Sequence, residues 1–511
     1  MLDNNLSPNA QDERIFRLKK LEQLKSEIGF PYRFDRTHTA QEVIKYFEEL
    51  QQQSATVRVA GRIFSIRKHG KTKFVDLQDQ SGKIQLYFRK DILGDSYEKF
   101  ELVDIGDLLG VTGEVFKTNA GEITILVKSY QILAKSLRPL PEKWHGLEDV
   151  EMRYRQRYLD LIANPQAKKI ILLRSKIIGL LRKFFEAKGF VEIETPILQP
   201  IYGGATAKPF ETYYNVLDEK MFLRISDELY LKRLIVGGIE KVFEIGKDFR
   251  NEGVDRFHNP EFTQLEAYEA YKDYNDMMSL VEELFQFLSY NLYQKYEIEY
   301  TYEKTEKLIE NNGKREKIIE EKKHVLNFNR PWRRVKFCEA LNEKLGFDVL
   351  NATYDKLWNR ALEEKIIEPN TIQKPSLVKL IDKLFSHLVQ RELLDPTFVI
   401  DYPKITTPLA RAHRENPQLV ERFEPIICRI EIGNAFSELN DPLEQRRRFE
   451  EQIKQQEKYA TLDEDFLMAL EYGMPPTAGI GLGIDRIVMI FSNVYNIREV
   501  IPFPQLKPLK E

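Results

Sequence analysis

The chain has 511 residues, a length that corresponds to about two to four compact domains. Its 77 basic and 80 acidic residues leave a formal net charge of −3, so any contact with nucleic acid must come from local basic patches. Cys338 and Cys428 are the only cysteines, which excludes a disulfide scaffold and zinc sites built on several thiolates.

The sequence has no segment that would target or anchor it in a membrane. No apolar run approaches the roughly 18 residues that a membrane span requires. The N-terminal segment interrupts every short apolar stretch with charged residues, unlike a secretory signal. We therefore expect a cytoplasmic chain without a membrane span.

Residues 1–56 are predicted to form a region around a basic amphipathic helix. Between Glu13 and Ile28, apolar side chains recur every three or four positions, with arginines and lysines between them. Gly29 and Pro31 are predicted to end the helix, because glycine suits a C-terminal cap and proline cannot continue the hydrogen-bond ladder. Two roles stay open, a solvated helix packed on the next domain or an arm that contacts RNA.

Residues 57–137 are predicted to form a small β-barrel. Turn signals separate five β-rich segments, VRVAGRIFSI, KFVDLQD, KIQLYF, DLLGVTGEVF and EITILVKSYQIL. This pattern is typical of the oligonucleotide/oligosaccharide-binding (OB) fold. Phe74 and Gln85, with Arg67 nearby, would let unpaired bases stack and be read at their edges. A place for Phe74 in the barrel core is the open alternative.

Residues 138–147 are predicted to be a linker, and residues 148–511 a larger α+β domain. Helical patterns alternate there with β-rich segments such as KMFLRIS and EKVFEIGKDFR, which favours a largely antiparallel sheet flanked by helices. Residues 302–324 are rich in Lys and Glu and poor in apolar side chains, which predicts an exposed helical or disordered insertion. Residues 353–394 are predicted to form a helical subdomain.

The common nucleotide-binding motifs are missing from the sequence. There is no GxxxxGK[ST] loop, and in AGIGLGIDR the spacing is wrong for a dinucleotide loop, with Arg486 where a third glycine is needed. The segment FRNEGVDRFHNPEFTQLEAY offers another cradle, because it places polar and aromatic side chains between two strands: Arg250, Glu252, His258 and Phe262. Arginine forks can hold phosphates while a carboxylate and an aromatic ring hold adenine. An ordinary charged hairpin loop is the alternative, and the length of the pattern disfavours it.

Two groups of carboxylates suggest cation sites. Glu424 and Glu431 lie seven residues apart around the strand-like IICRI. Such hard oxygen ligands bind Mg²⁺, although ion pairs with the nearby arginines are an alternative. Glu228, Glu266 and Glu438 lie on segments that also carry apolar and aromatic residues. Carboxylates gathered in a pocket require a cation.

Several long segments resemble the class II aminoacyl-tRNA synthetases, and among these the lysyl enzymes. GFVEIETPIL, FRNEGVDRFHNPEFTQLEAY and GIGLGIDR are similar to the first, second and third motifs of the family, and EIGNAFSELNDP to its amino-acid-binding segment. GGATAKPF, DELYLKRLIVGG and IREVIPFPQLKP are similar to the lysyl subgroup. The resemblance extends from about Glu13 to Pro508.

This resemblance implies a class II catalytic sheet, an anticodon-binding barrel and a homodimer that activates L-lysine with ATP and transfers it to lysine tRNA. It implies an ATP site at Arg250, Glu252, His258, Phe262 and Arg486, with the two arginines catalytic. It implies a lysine site at Gly204, Glu228, Glu266, Tyr268, Asn434, Phe436 and Glu438. It also implies that Glu424 and Glu431 bind Mg²⁺ and that Arg67, Phe74 and Gln85 bind the anticodon.

The sequence departs from the family at a few positions. Lys208 replaces the usual arginine, Asp227 occupies a position that is usually neutral, and the turn between Glu424 and Glu431 has an unusual composition. An aspartyl or asparaginyl enzyme would need a cationic pocket, and an enzyme that modifies a protein lysine would lack the barrel. A non-catalytic, regulatory RNA-binding paralogue would lose Arg250 or Arg486, and the sequence keeps both.

Overall fold

The computed structural model describes residues 8–27, 30–140, 149–311, 314–368, 374–454 and 461–508. The chain divides into two compact units, Met1–Glu148 and Asp149–Glu511. Most of the linker predicted at 138–147, and Gly29 at the predicted end of the first helix, lie outside the described residues. Among the described helices, none is both long and apolar enough to cross a membrane.

The first unit contains short helices and a closed barrel. Its helices are α1 (Pro8–Glu27), α2 (Ala40–Lys45), α3 (Phe47–Gln52), α4 (Lys90–Leu93) and α5 (Asp95–Lys99), followed by a 3₁₀ turn (Phe100–Leu102). Its strands are β1 (Thr56–His69), β2 (Thr72–Gln78), β3 (Lys83–Arg89), β4 (Leu108–Lys117) and β5 (Ile123–Ala134). The strands close in the order β1-β2-β3-β5-β4, so the predicted five-stranded barrel is confirmed.

The barrel interior is filled by alternate residues of its strands. Val75 and Leu77 of β2 are fully buried, whereas Phe74 and Asp76, which alternate with them along the strand, are half-buried on the outer face. Val43 of α2 and Leu50 of α3 join the same core, so these helices are part of the barrel unit. The pleat of β2 therefore excludes the alternative that Phe74 is a core residue.

Helix α1 docks through a face that only partly overlaps the predicted apolar one. Leu24 is buried as predicted and joins the core of the unit, but Ile15 is 52% exposed. Arg17, only 4% exposed, donates hydrogen bonds to two backbone carbonyls of the unit, and Lys20 binds Asp104 at 2.7 Å. A guanidinium fork and an ammonium group therefore hold this helix together with part of its apolar face.

The second unit carries the remaining elements. Its helices are α6 (Val150–Arg155), α7 (Arg157–Ala163), α8 (Pro165–Ala187), α9 (Glu228–Val236), α10 (Tyr274–Tyr293), α11 (Phe337–Leu345), α12 (Tyr354–Glu363), α13 (Leu377–Leu388), α14 (Pro442–Lys454), α15 (Glu464–Glu471), α16 (Ile484–Ser492) and α17 (Ile497–Val500). Its strands are β6 (Val191–Glu192), β7 (Leu198–Gln199), β8 (Phe210–Tyr214), β9 (Glu219–Leu223), β10 (Lys241–Phe249), β11 (Glu261–Ala270), β12 (Glu297–Asn311), β13 (Lys314–Asn327), β14 (Arg333–Lys336), β15 (Thr397–Pro403), β16 (Leu419–Ile427), β17 (Ile430–Glu431), β18 (Gly433–Ser437) and β19 (Thr477–Gly483).

A nine-stranded sheet organises this unit. Its order is β14-β15-β16-β18-β19-β11-β10-β6, and β17 pairs with β16. All the central pairs are antiparallel, as predicted, but the pairs at the two edges, β14 with β15 and β6 with β10, are parallel. Val242 and Phe243, neighbours on β10, enter different core clusters, so each face of the sheet carries its own apolar layer.

The insertion at 302–324 is neither helical nor disordered where the structure describes it. It belongs to an antiparallel hairpin of β12 and β13. Tyr300 and Leu326 anchor the base in the core, and Lys322 lies 2.8 Å from Glu303 on the opposite strand. The prediction was wrong because the pairing that stabilises the hairpin joins residues that are distant along the chain.

Candidate active site

A cavity of about 470 Å³ is lined by strands β11, β18 and β19 and by the first residues of α9 and α16. The structure brings to this cavity residues predicted from separate segments of the sequence: Gly204, Glu228, Arg250, Glu252, His258, Phe262, Glu266, Tyr268, Glu431, Asn434, Phe436, Glu438 and Arg486. Glu424 is not among the lining residues. Glu438 and Glu266 lie beside Gly479 and Gly481 of β19. Arg486, and Phe262 with Arg250 over its ring, lie beyond the last residue of that strand, Gly483. The cavity thus has an acidic end and an end that carries arginines.

A buried lysine joins two of the acidic residues. Lys232 is fully buried on α9 and forms ion pairs with both Glu228 and Glu438. Burial raises the pKa of Glu438 well above its usual value, and the ammonium group of Lys232 opposes that shift. The sequence reasoning missed Lys232. Its position four residues after Glu228 on a helix could have indicated an ion pair between the two side chains.

Glu266 is held at the floor of the acidic end by three donors. It accepts hydrogen bonds from Ser226 Oγ at 3.0 Å, Gln264 Nε2 at 2.7 Å and Tyr268 Oη at 2.8 Å. Burial raises the pKa of Glu266 to about 7, and the charges of Asp248 and other carboxylates add to this effect. A cation that entered here would stabilise the ionised form.

The glycines of AGIGLG make room for this acidic end. A Cβ atom at Gly479 would collide with the Glu438 carboxylate and the Tyr268 ring, and one at Gly481 would lie 2.7 Å from Gln264 Nε2. Gly204 has φ +82°, and its Cβ would lie 2.7 Å from Ser226 Oγ. Sequence reasoning excluded a dinucleotide loop at AGIGLG, but it did not find that these glycines leave space for the pocket.

The opposite end of the cavity presents positive groups. The Arg250 guanidinium lies 5.0 Å from the centre of the Phe262 ring, and its Nε donates to a backbone carbonyl at 3.3 Å. Arg486 Nη1 donates to the carbonyl of Glu431 at 2.7 Å, and its Nη2 lies 3.2 Å from His258 Nε2. Each guanidinium keeps further donors for an anionic group, so this end is suited to phosphates.

The two carboxylates predicted to bind a metal each have an arginine partner. Glu424 Oε1 lies 2.5 Å from Arg422 Nη2, and Glu431 Oε2 lies 3.6 Å from Arg486 Nη1. Burial and the charge of Glu431 raise the pKa of Glu424 to about 7. The two carboxylates are thus close enough to repel each other, and their oxygen donors fit a hard divalent cation that would relieve the repulsion.

Arg422 is a second cation that sequence reasoning missed as a site residue. It lines the cavity, donates to Asn434 Oδ1 at 2.8 Å and to Thr407 Oγ1 at 2.5 Å, and lies over the Tyr402 ring. Its position two residues before Glu424 on β16 was the available signal, because alternate residues of a strand share one face. Arg422 therefore fixes the orientation of the Asn434 amide.

The outer face of the barrel forms a different kind of surface. The Phe74 and Tyr87 rings stack with centroids 4.6 Å apart, and Phe116 lies 5.8 Å from Tyr87. Arg67 on β1 pairs with Phe74 on β2, and its guanidinium donates hydrogen bonds to both carboxylate oxygens of Asp76. Gln85 accepts a hydrogen bond from a threonine hydroxyl and keeps its amide donors. Tyr87 and Phe116 extend the predicted set with two aromatic rings.

Comparison with known proteins adds independent evidence. Residues 149–507 match the family model described as tRNA synthetases class II (D, K and N), and residues 57–133 match the one described as OB-fold nucleic acid binding domain. The chain is 50% identical to the lysine–tRNA ligase of Aquifex aeolicus over 461 residues, which cover 89% of this chain and 74% of that protein. It is 48% identical to the lysine–tRNA ligase of Carboxydothermus hydrogenoformans (96% of this chain, 97% of that protein). It is 46% identical to that of Syntrophomonas wolfei (98% of each).

Proposed function

The chain belongs to the class II tRNA synthetases, and we propose that it works as a lysine–tRNA ligase. It activates L-lysine with ATP and transfers the lysyl group to the 3′ end of lysine tRNA, releasing AMP and pyrophosphate. Relatives that carry this activity in their names align with nearly the whole chain. A non-catalytic paralogue is not favoured, because Arg250 and Arg486 both line the cavity.

The observation that carries the proposal is the charge of the cavity. Glu228, Glu266 and Glu438 are buried at one end, and Arg250 and Arg486 lie at the other. A lysine substrate carries two ammonium groups for the acidic end and a carboxylate that reacts at the phosphate end. An uncharged analogue would leave a buried carboxylate unpaired, at a cost on the order of several kcal/mol.

We assign the parts of lysine to residues by charge and position. The α-amino group binds near Gly204 and Glu228. The ε-ammonium group binds Glu266 and Glu438, with Tyr268 beside them, and a further pair of residues lines the pocket: Asn434 and Phe436. The two ends of lysine therefore meet different carboxylates.

The reaction needs alignment and charge stabilisation more than a protein nucleophile. A carboxylate oxygen of lysine attacks the α-phosphorus of ATP, the bond between that phosphorus and the β-bridging oxygen breaks, and pyrophosphate leaves. Arg250 stabilises the charge on the α-phosphate, Arg486 binds the far end of the triphosphate, and His258 is close to the phosphates. Adenine lies against Phe262, near Glu252. A ribose hydroxyl of tRNA then attacks the lysyl carbonyl carbon, and AMP leaves.

We propose that Glu424 and Glu431 hold Mg²⁺. When bound, the ion neutralises phosphate charge and so assists the departure of pyrophosphate. The support is the donor chemistry of the pair and the raised pKa of Glu424, which reflects burial and repulsion by Glu431.

The barrel is proposed to bind the anticodon of lysine tRNA. Half-exposed aromatic rings on its outer face offer stacking surfaces, and Arg67 and Gln85 offer donors for base edges. We also propose that the protein acts in the cytoplasm, because tRNA is charged in that compartment.

A homodimer is proposed from the apolar surface of the second unit. Helix α8, the segment after it that resembles the first family motif, and the strands that follow expose large apolar side chains: Leu172, Val191, Ile197, Leu198, Ile201, Tyr213, Tyr214, Val216 and Leu217. A large group of exposed apolar side chains marks a protein–protein interface. Light scattering at micromolar concentration should give twice the mass of the chain, and a monomer would contradict the proposal.

The function is tested by ATP–pyrophosphate exchange with each standard amino acid in turn. Lysine should support exchange far better than any other amino acid, and lysine tRNA should then be charged. Exchange with another amino acid and not with lysine would overturn the proposal.

A further inference from the structure

Three carboxylates meet behind the wall of the acidic pocket. Oxygen atoms of Asp227, Asp248 and Glu266 lie within 4.8 Å of one another. The three residues are 2%, 1% and 3% exposed, respectively. Glu266 lines the cavity, whereas the two aspartates are not among the lining residues. Asp227 and Asp248 are therefore two further buried acids beside the lysine pocket.

The two aspartates lack the donors that Glu266 has. Oδ1 of Asp227 and both carboxylate oxygens of Asp248 are buried without a hydrogen-bond partner among the described residues. Asp227 precedes α9, yet its side chain does not cap the helix. Arg224 Nε lies 3.1 Å from Asp248, but the guanidinium donates its hydrogen bonds to Glu244 and to backbone and threonine oxygens. One guanidinium therefore faces several buried carboxylates.

The surrounding charges show the same imbalance. The acidic groups that act on the three carboxylates from neighbouring elements are Glu228 and Glu244, and the basic groups are Arg224 and Arg250. Glu266 in turn raises the pKa of Glu438. Lys232 is already shared by Glu228 and Glu438. Buried carboxylates this close cannot all be ionised, so at least one keeps a proton.

We propose that Asp227 keeps this proton at neutral pH and donates it to Glu266 as a fourth hydrogen bond, and that the charge on Asp248 sets the pH below which Glu266 becomes neutral. Both aspartates then act as positioning residues for the group that binds the ε-ammonium of lysine. This inference rests on the proposed function, because that function gives Glu266 its ligand.

The hydrogen-bond donors around the three carboxylates support this assignment. Glu266 accepts three hydrogen bonds and Arg224 Nε lies 3.1 Å from Asp248, whereas Oδ1 of Asp227 has no donor among the described residues. Burial, together with the charges of Glu266 and Asp248, raises the pKa of Asp227 well above its usual value. Burial also raises the pKa of Asp248 to about 6 and that of Glu266 to about 7.

Lysine binding should become tighter as the pH rises toward the pKa of Glu266. Lysine binds the ionised form of Glu266, so its presence favours release of the proton from that carboxylate. The affinity for lysine should rise by about tenfold per pH unit below the pKa of Glu266 and level off above about pH 7.

Three substitutions should have different effects on the midpoint pH of lysine binding: a fall, a rise and no change. Asp248→Asn removes a negative charge that raises the pKa of Glu266, so the midpoint should fall by about one pH unit. Asp227→Ala removes the donor to Glu266, so the midpoint should rise. Asp227→Asn keeps a donor without a titrating proton, so the midpoint should stay at the wild-type pH. If Asp227 were charged instead, Asp227→Asn would lower the midpoint as Asp248→Asn does.

The experiment measures the dissociation constant of L-lysine by calorimetry, without ATP, from about pH 5.5 to 8.5. Glu299→Gln, which removes an exposed carboxylate of the hairpin, is the matched control and should match wild type at every pH. A midpoint that stays fixed in Asp248→Asn, or falls in Asp227→Asn, overturns the proposal.

A measurement on the wild-type protein covers the case in which a variant does not fold. Near pH 6, lysine binding should release about one proton, detected by comparing binding heats in two buffers of different ionisation enthalpy. Binding without proton release overturns the inference. Lysine-dependent pyrophosphate exchange at pH 8 tests the proposed function separately, because Glu266 is ionised there with or without the aspartates.

Discussion

The barrel face and the acidic pocket are both polar recognition surfaces, but they treat charge in opposite ways. On the barrel, Arg67 is 45% exposed and paired with Asp76, and the half-exposed rings of Phe74 and Tyr87 supply the contact area. In the pocket, carboxylates are buried beyond what Lys232 can neutralise. Under the proposed function, the pocket would derive specificity from charge that is costly without its ligand, whereas the barrel would derive affinity from stacking that tolerates exposure.

The largest effect is expected when one buried carboxylate is removed from the pocket. Glu438→Gln should lower kcat/KM for lysine in pyrophosphate exchange by about a thousandfold, because a buried charged partner of the substrate is lost. ATP binding should change little, since the phosphate end is intact. Glu299→Gln on the hairpin removes an exposed carboxylate and serves as the control. Unchanged exchange in Glu438→Gln would reject the pocket.

A methyl group should be nearly as harmful as a lost charge where the pocket is tight. In Gly479→Ala the new Cβ collides with Glu438 and Tyr268, so we expect the KM for lysine to rise by about a hundredfold. Gly179→Ala on α8 is a suitable control, because its Cβ meets no atom within 4 Å. If both alanine variants bind lysine alike, the glycines of β19 do not shape the pocket.

On the barrel, loss of a ring should affect tRNA and leave lysine activation alone. Phe74→Ala removes one stacking surface, which is worth about 1–3 kcal/mol for each base, so kcat/KM for tRNA charging should fall about 5- to 150-fold. Pyrophosphate exchange without tRNA should stay at the wild-type rate. Tyr472→Ala removes an exposed ring at the end of α15 in the second unit and is the control. Equal loss of charging and exchange would contradict a role confined to the anticodon.

The site was more predictable from sequence than the elements around it. Motif residues such as Arg250 and Glu438 could be assigned because long, ordered segments specify both residue type and position. Lys232 was missed because its contact with Glu438 joins segments that are distant in sequence. Arg422 was missed because its contacts with Thr407 and Asn434 also join different segments, although Glu424 is close to it in sequence.

The same reason explains the errors in the fold. The hairpin at 302–324 has the composition of a solvated segment, and the anchoring of Tyr300 in the core is invisible in that composition. The spacing of apolar residues correctly predicted a helix in α1 but only part of the face that docks. Arg17 sits against backbone carbonyls, which no side-chain pattern can reveal.

The smallest effect is expected at the bidentate ion pair between Arg67 and Asp76 on the barrel face. Asp76→Asn removes a charge from a partly exposed pair, and such pairs contribute about 0–1 kcal/mol, so thermal unfolding of the full chain should shift by no more than about 3 °C. The freed guanidinium keeps its donors for base edges or phosphates, so tRNA charging should be equal to wild type or a few times faster. Differential scanning calorimetry and charging kinetics measure the two quantities. A large loss of stability would show that the barrel depends on paired charge as the pocket does, and the contrast between the two regions would then fail.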